Sequence, residues 1–316
     1  MKKWTIRSQN PEQIKTLAAS AGISEFAAKL LLNRSILTRE QADDFFNNDE
    51  ISNPFNMANM DKAAELISSA IEEGEKITVY GDYDCDGVTA TVILYGYLEA
   101  VGAEADWYIP SREEGYGLNA DAIKKLAKNG TRLIVTVDNG ISAADEAELI
   151  YELGMRLIIT DHHQIPEKLP MADAIINPHL SGDLSPCKEL AGCGVALKLV
   201  MALEEDIDSV AENWIDLAAI GTVGGIVPLV GENRIIVKKG LENLSVTENG
   251  GLKALLMQCG ISEDMEVTST TAAFTLCPRI NAAGRFAHAK EAAELFLCDN
   301  PKMYRKMAEN LSELNM

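Results

Sequence analysis

Val79-Tyr80-Gly81-Asp82-Tyr83-Asp84-Cys85-Asp86-Gly87 places three carboxylates on alternate positions directly behind a short apolar run. A second apolar run ends in Thr160-Asp161-His162-His163. Carboxylate oxygen and neutral imidazole suit a divalent cation of intermediate hardness, and one strand alone cannot supply a whole coordination sphere. Two such clusters behind successive strands of one parallel sheet would meet at the same edge. The stretch therefore predicts an α/β fold with a metal-dependent, phosphoester-cleaving site at the carboxyl ends of its strands.

Asp82-x-Asp84-x-Asp86-Gly87 also opens like an EF-hand calcium loop. That loop needs Glu at its twelfth position and a helix in front; here the twelfth residue is Ile93 and a strand precedes. Capping of the following helix explains one of the three aspartates, not all of them. Asp138-Asn139-Gly140 follows the β-branched run Leu133-Ile-Val-Thr-Val137 and taken alone reads as a turn. Beside the other two clusters it reads as a metal-bridging carboxylate. In Asp161-His162-His163, adjacent side chains diverge at a strand end, so one histidine can ligate while the other faces substrate. The aspartate then orients an imidazole from behind.

Around these motifs the text alternates short apolar strands with helical patterns. Strands are predicted at 76–80, 105–109, 133–137, 157–160 and 174–176, with helices at 62–73, 89–100, 119–129 and 142–153. Such alternation means βαβ units and a parallel sheet buried on both faces. Residues 1–57 form a predicted helical N-terminal segment with an apolar stripe at Ile23, Phe26, Ala27, Leu30 and Leu31, broken by Ser52-Asn53-Pro54. Residues 58–235 form the parallel-sheet domain with flanking helices. Residues 236–316 form a helical C-terminal part.

The chain of 316 residues is 47% hydrophobic and 24% charged, the balance of a folded globular protein. Lys and Arg number 28 against 48 Asp and Glu, a net charge of −20. That excludes a protein that coats nucleic acid through a broad basic surface, though a local basic patch remains compatible with it. Bound cations would offset part of the charge at the site. The six cysteines (Cys85, Cys187, Cys193, Cys259, Cys277, Cys298) form no C-x-x-C pair and are expected as free thiols in a reducing compartment. The polar stretch from Arg7 to Lys15 rules out a secretory h-region, and no apolar run approaches a membrane span. The expected location is cytoplasmic.

Arginines are scarce enough for their placement to be informative. Arg112 precedes Glu113-Glu114-Gly115-Tyr116-Gly117, and Pro278-Arg279-Ile280-Asn281-Ala282-Ala283-Gly284-Arg285 carries two arginines and an amide. Arg112, Arg279, Asn281 and Arg285 are the candidates for phosphate contact. Gly192-Cys193-Gly194 before a helix is a weaker anion-binding signal. His179 and His288 stand without partner motifs.

With these residues in place the chain resembles the DHH phosphoesterase superfamily and, within it, the RecJ-like single-strand-specific exonucleases. The matching text runs in order through the acidic loop, Glu114-Gly-Tyr-Gly-Leu118, Val137-Asp-Asn-Gly-Ile-Ser142 and Ile159-Thr-Asp-His-His163. It continues through Asn177-Pro178, Leu190-Ala-Gly-Cys-Gly-Val-Ala-Leu-Lys198, Gly221-Thr-Val223, Pro228-Leu229, Glu232-Asn-Arg234 and the 278–285 motif. The resemblance implies 5′→3′ hydrolysis of single-stranded DNA, in repair and recombination, with two Mn²⁺ or Mg²⁺ ions. It places Asp84 and Asp86 each on one ion, Asp138 between them, His162 as a ligand, and Asp82 and Asp161 at or just behind the ligands. His163 would contact the scissile phosphate, and the arginines the DNA phosphates, including the 5′ end. Single-stranded DNA is the implied partner, with a separate DNA-binding or repair protein as a second.

Two departures from the family pattern bear on this. Where the pattern reads G-T-(V/I)-A-D-V-V-P-L, this chain has Gly221-Thr-Val-Gly-Gly-Ile-Val-Pro-Leu229, so the fourth-motif carboxylate is Gly225. Asp216, upstream on a predicted helix, is the one carboxylate that could stand in through water. The chain also stops where the resemblance expects DHHA1 and OB-type domains to follow. Both departures support an alternative reading, a non-catalytic DHH module that binds nucleic acid or a protein partner.

Overall fold

The computed structural model describes residues 7–204, 207–262, 265–285 and 289–315. The chain divides into two compact units, Met1–Glu50 and Ile51–Met316. In the first, α1 (Pro11–Ala21), α2 (Glu25–Leu32) and α3 (Arg39–Asn47) are capped by Asn10, Ser24 and Thr38. Gln41 closes a reciprocal capping box with Thr38. Their core is Leu17, Ala28, Leu31, Leu32 and Ala42. Of the predicted stripe, Leu31 is buried and Ile23 packs against this core, while Ala28 and Leu32 take the inward places expected of Phe26, 72% exposed, and Leu30. Positions 28, 31 and 32 share one helical face at spacings of three and four, and position 26 falls on the opposite one.

The second unit is built on five parallel strands: β1 (Ile77–Tyr80), β2 (Ala105–Tyr108), β3 (Leu133–Val137), β4 (Arg156–Thr160) and β5 (Ala174–Ile176). Their order is β2-β1-β3-β4-β5. Each of the five falls on a run predicted as a strand. The helices are α4 (Met60–Glu72), α5 (Cys85–Ala100), α6 (Ala120–Lys128), α7 (Ala144–Glu152), α8 (Gly192–Leu203), α9 (Ile207–Gly224), α10 (Gly231–Leu244) and α11 (Gly250–Gln258). After them come α12 (Ser269–Thr271), a π-helical turn Ala272–Leu276, α13 (Cys277–Arg285), α14 (Ala289–Phe296) and α15 (Pro301–Leu314).

Strand side chains alternate between two cores. Ile77, Val79, Leu133, Val135, Val137 and Ile158 pack with α4, α5 and α8. Tyr80, Ile134, Leu157 and Ile159 pack with α6 and α7. A strand buried on both faces has no polar face to show, so its sequence reads as a continuous apolar run. From β1 the sheet grows outward to β2 on one side and to β3 on the other, so the strand order reverses between β1 and β3. Crevices at such a reversal, outside the carboxyl ends of the strands, are where ligands collect in open α/β sheets. Asp82 follows β1 and Asp138 follows β3.

One buried ion pair joins the helices behind the sheet. Lys198 Nζ lies 2.6 Å from Glu232 Oε1. The same Glu232 oxygen accepts the Ser52 N–H at 2.7 Å. Lys198 also donates to the Ser52 hydroxyl at 2.9 Å and to the Ser52 carbonyl. Lys198 is fully buried, and burial draws its pKa down from the ordinary lysine value against the pull of Glu232.

Candidate metal centre

The acidic loop is shaped by the start of α5. Asp84 is the N-cap of that helix, its side chain accepting the Gly87 N–H at 2.9 Å. Gly87 admits this turn because a methyl group there would sit 2.6 Å from Asp82 Cβ. The Cys85 N–H, a free donor at the helix start, is taken by Asn281 Oδ1 on α13 at 2.9 Å. Sequence distance hid this tie, since the two residues lie 196 positions apart.

At the end of β3, Asp138 adopts a left-handed backbone with φ 61°. A non-glycine residue held there is strained, and such strain gathers at functional sites. Asn139 holds the geometry, its Nδ2 donating to Val137 O at 2.9 Å and to Tyr80 O at 3.2 Å, so the tails of β3 and β1 are clamped together. Asp138-Asn139-Gly140 does form a turn, and that turn brings the Asp138 carboxylate to the edge where Asp82 follows β1.

The N-terminus of α8 faces the same place. Its Gly192 and Cys193 N–H groups donate to Asp86 Oδ2 at 2.9 Å and Oδ1 at 2.7 Å. The anion that this glycine turn receives is a side chain of the protein itself, stabilised by the positive end of the helix dipole. Asp86 is thereby fixed in orientation while each oxygen retains a second lone pair.

Asp161 organises the histidines. Its Oδ1 accepts His162 N at 2.7 Å, His163 N at 3.0 Å and His163 Nδ1 at 2.7 Å, and its Oδ2 accepts Ile141 N at 2.9 Å. With its oxygens so engaged, Asp161 acts from behind the histidines. It fixes His163 with Nδ1 toward the carboxylate, leaving Nε2 outward. Asn177 Nδ2 adds a bond to the His163 carbonyl at 2.9 Å. Tyr116, quoted above only within a motif, proves to be part of the site. Its hydroxyl lies 3.3 Å from Asp138 O and 3.4 Å from His163 Nε2.

These elements produce two ligand groups that share one residue. Donor atoms of Asp82, Asp84 and Asp138 lie within 4.8 Å of one another, as do those of Asp138, His162 and His163. Asp82 Oδ1 and Asp138 Oδ1 are buried without a hydrogen-bond donor. His162 Nε2 stands 3.0 Å from that Asp138 oxygen and 3.8 Å from Asp86 Oδ2. Among the described residues, the ion pairs of Asp86 and Asp138 are with histidine alone. Burial and the Asp84 charge push Asp82 up to about 7. Burial and the crowd of neighbouring carboxylates push Asp138 well above the usual carboxylate range. Burial and then the Asp86 charge raise Asp84. Burial opposes ionisation of Asp161 as well, yet its bonds to His163 and the backbone hold it below the usual range. The hydrogen bond to Asp161 raises His163, against burial. Orphaned oxygens in a cluster of repelling carboxylates fit a divalent cation, and the mixed carboxylate and imidazole donors suit one of intermediate hardness.

The remaining candidates separate. Arg112 is exposed above the acidic loop, its guanidinium 5.2 Å from the Tyr83 ring centroid. Arg279 turns elsewhere: Nη1 donates to Thr275 O at 2.7 Å and Nε to Ser312 Oγ at 3.3 Å, which ties α13 to its own preceding turn and to α15. Asn281 spends its oxygen on Cys85, so its observed place is under the acidic loop. The Arg285 side chain and His288 lie outside the described residues. His179 is in neither ligand group and sits 3.3 Å from Gln164 Nε2. Asp216 does not replace the fourth-motif carboxylate. It bonds the Thr247 hydroxyl and the Leu217 N–H, and it lies about 12 Å along the α9 axis from Gly224. A methyl group at Gly225 would lie 2.9 Å from Asp86 Oδ2, so position 225 looks directly onto the site. All six cysteines are free thiols.

Residues 76–222 match the DHH family, N-terminal domain. This chain is a RecJ-like member of the DHH family. It is 40% identical over 316 residues to the single-stranded-DNA-specific exonuclease RecJ of Bacillus subtilis, covering 99% of this chain and 40% of that protein. The Escherichia coli RecJ is 38% identical over 275 residues, 82% of this chain and 47% of its own length. The crystal structure of Thermus thermophilus RecJ in complex with Mn²⁺ superposes with a TM-score of 0.81 at 30% identity, over 97% of this chain and 44% of that one. The same protein has a structure in complex with Mg²⁺. The chain therefore spans less than half the length of these RecJ proteins. Their names do not favour a non-catalytic module. No described helix is long and apolar enough to cross a membrane.

Proposed function

We propose that this chain hydrolyses phosphodiester bonds of single-stranded DNA from the 5′ end, at a centre of two Mn²⁺ or Mg²⁺ ions, in repair or recombination in the cytoplasm. The observation that carries the reading is Asp138, common to both ligand groups, whose buried Oδ1 makes no aligned hydrogen bond although His162 Nε2 lies 3.0 Å away. Asp82 and Asp84 would complete one ion's protein ligands, and His162 the other's, with Asp86 held beside them by α8. Two such ions, held by these residues, would make bound water acidic enough to attack near neutral pH and would offset charge on the attacking and leaving oxygens. His163, oriented through Nδ1 by Asp161, would face a phosphate oxygen with Nε2. Arg112, exposed above the acidic loop, would meet a second phosphate of the strand. Arg279 and Asn281 would act through the scaffold, by holding α13 against the acidic loop.

The test is digestion of 5′-phosphorylated oligonucleotides with Mn²⁺, single-stranded against duplex, followed by product size. The proposal expects mononucleotides released from the 5′ end of the single strand only, and loss of that activity in Asp84→Asn. Internal cleavage, equal attack on duplex, or full activity in Asp84→Asn would contradict it.

A further inference from the structure

Two buried thiols meet beneath the acidic loop. Cys85 and Cys277 both donate to Ile220 O on α9, at 3.8 and 3.5 Å. The two sulfurs also share a hydrogen bond, which together with burial holds the Cys85 thiol well above its ordinary pKa. A methyl group at Gly224 would lie 2.6 Å from Cys85 Sγ and 3.5 Å from Cys277 Sγ, so that glycine leaves room for the pair. We propose that Cys85 and Cys277 form a reversible disulfide on reaction with hydrogen peroxide, and that this bond loosens the metal centre. The bond itself is independent of the exonuclease reading, whereas its effect on the centre rests on the metal ligands named there.

Access differs between the two sulfurs. Cys85 is fully buried, whereas Cys277, 4% exposed, lines a cavity of about 580 Å³ bordered by Phe274, Pro278 and Leu314. Hydrogen peroxide is small enough to enter it and meets Cys277 first. The Cys277 sulfur attacks one peroxide oxygen; an S–O bond forms, the O–O bond breaks, and the departing hydroxide takes the thiol proton as water. The Cys85 sulfur then attacks the resulting sulfenic acid; an S–S bond forms, the S–O bond breaks, and a second water leaves. Two thiols are oxidised and one peroxide reduced, giving a disulfide and two waters. Small thiols reverse the bond by exchange.

The neighbourhood of the pair connects it to the centre. Cys277, Asn281 and Gly284 follow at spacings of four and three, on one face of α13. Asn281 Oδ1 accepts the Cys85 N–H, and a methyl group at Gly284 would lie 2.4 Å from Tyr83 O, so this face already grips the loop. Disulfide sulfurs stand about 2.05 Å apart, much closer than hydrogen-bonded thiols. Forming the bond therefore draws Cys85 toward α13. Its chain neighbours are Asp84 and Asp86, and Asp86 is held from the other side by the Gly192 and Cys193 N–H groups. A pull on Cys85 is thus a pull on carboxylates that the centre needs in place.

The experiment treats the metal-free chain with hydrogen peroxide, removes the excess, maps linked peptides by tandem mass spectrometry and then titrates Mn²⁺ by calorimetry. A Cys85–Cys277 link that dithiothreitol reverses is expected. Mn²⁺ affinity should fall about tenfold or more in the linked form, the usual loss when a ligand's support is disturbed, and return on reduction. Cys277→Ser keeps a hydroxyl for Ile220 O and should hold its Mn²⁺ affinity through the same treatment. Absence of the link from the parent's map overturns the pair, whatever the variant does. Equal Mn²⁺ affinity in linked and reduced chains overturns the coupling, and so does a loss that Cys277→Ser shares. A reduced chain that binds no Mn²⁺ removes the centre and the coupling together, and the map still decides the pair. No DNA is cleaved in these measurements, so the exonuclease reading stands or falls separately.

Discussion

A methyl group at position 192 would lie 2.3 Å from Asp138 Oδ1, and one at 225 would lie 2.9 Å from Asp86 Oδ2. The two glycines therefore control opposite sides of the centre. Gly192→Ala should push the Asp138 carboxylate out of both ligand groups and weaken Mn²⁺ binding about 10- to 100-fold, the usual loss when a ligand's support is disturbed. Calorimetry on the folded variant checks this, and parental affinity would contradict it. Gly225→Asp is the inverse case. Gly225 has an ordinary negative φ, since the left-handed residue of this loop is Ile226 at φ 58°, so an Asp fits the backbone. A carboxylate added beside Asp86 should lower the melting temperature of the metal-free protein and raise it above the parent when Mn²⁺ is present. Equal melting in both states would mean that position 225 does not reach an ion. Little of this was legible beforehand. Asp82, Asp84, Asp138, His162 and His163 stood out because their spacing follows strand ends. Tyr116 and the two glycine contacts did not, because they depend on approaches between residues remote in sequence.

The helix ends carry more of the architecture than their sequences suggest. Gly192-Cys193-Gly194 promised a site for an external anion, and the anion is Asp86, 106 residues earlier. The 278–285 motif promised phosphate contacts, and its Asn281 and Arg279 are bonded within the protein instead. In both cases the residue types left the partner open, because neither a donor nor an acceptor names the group it will meet in the fold. The strands were legible for the opposite reason. Five short apolar runs between helical patterns leave few arrangements for a parallel sheet. The buried pair of Lys198 and Glu232 yields a prediction at this scale. Removing one member leaves an uncompensated charge inside, so Lys198→Met should cost about 3–5 kcal/mol in urea unfolding. Adding Glu232→Leu should recover most of that loss. A double variant as unstable as the single one would show that the pair contributes attraction beyond mutual neutralisation.

Across the whole molecule, a net charge of −20 and a cluster of buried carboxylates make metal and proton compete for the same oxygens. Asp82 is raised to about 7, and Asp84 and Asp138 are raised with it. Between the ordinary carboxylate pKa, near 4, and those raised values, the folded metal-free chain binds protons that the unfolded chain has released. Its stability is then full below about pH 4 as far as these groups are concerned, and falls as pH rises through 7. The metal-free melting temperature should accordingly drop between pH 5.5 and pH 8, and the gain on adding Mn²⁺ should be larger at pH 8. A metal-free protein that melts higher at pH 8 would reverse the sign and remove the carboxylate cluster as its cause. The central claim is that one carboxylate, Asp138, builds the centre for both ions, and a Mn²⁺ titration of the parent beside Asp138→Asn tests it most directly. The account predicts two sites of unequal affinity in the parent, the weaker reflecting glycine at 225, and neither in the variant. Unchanged stoichiometry in Asp138→Asn would contradict it.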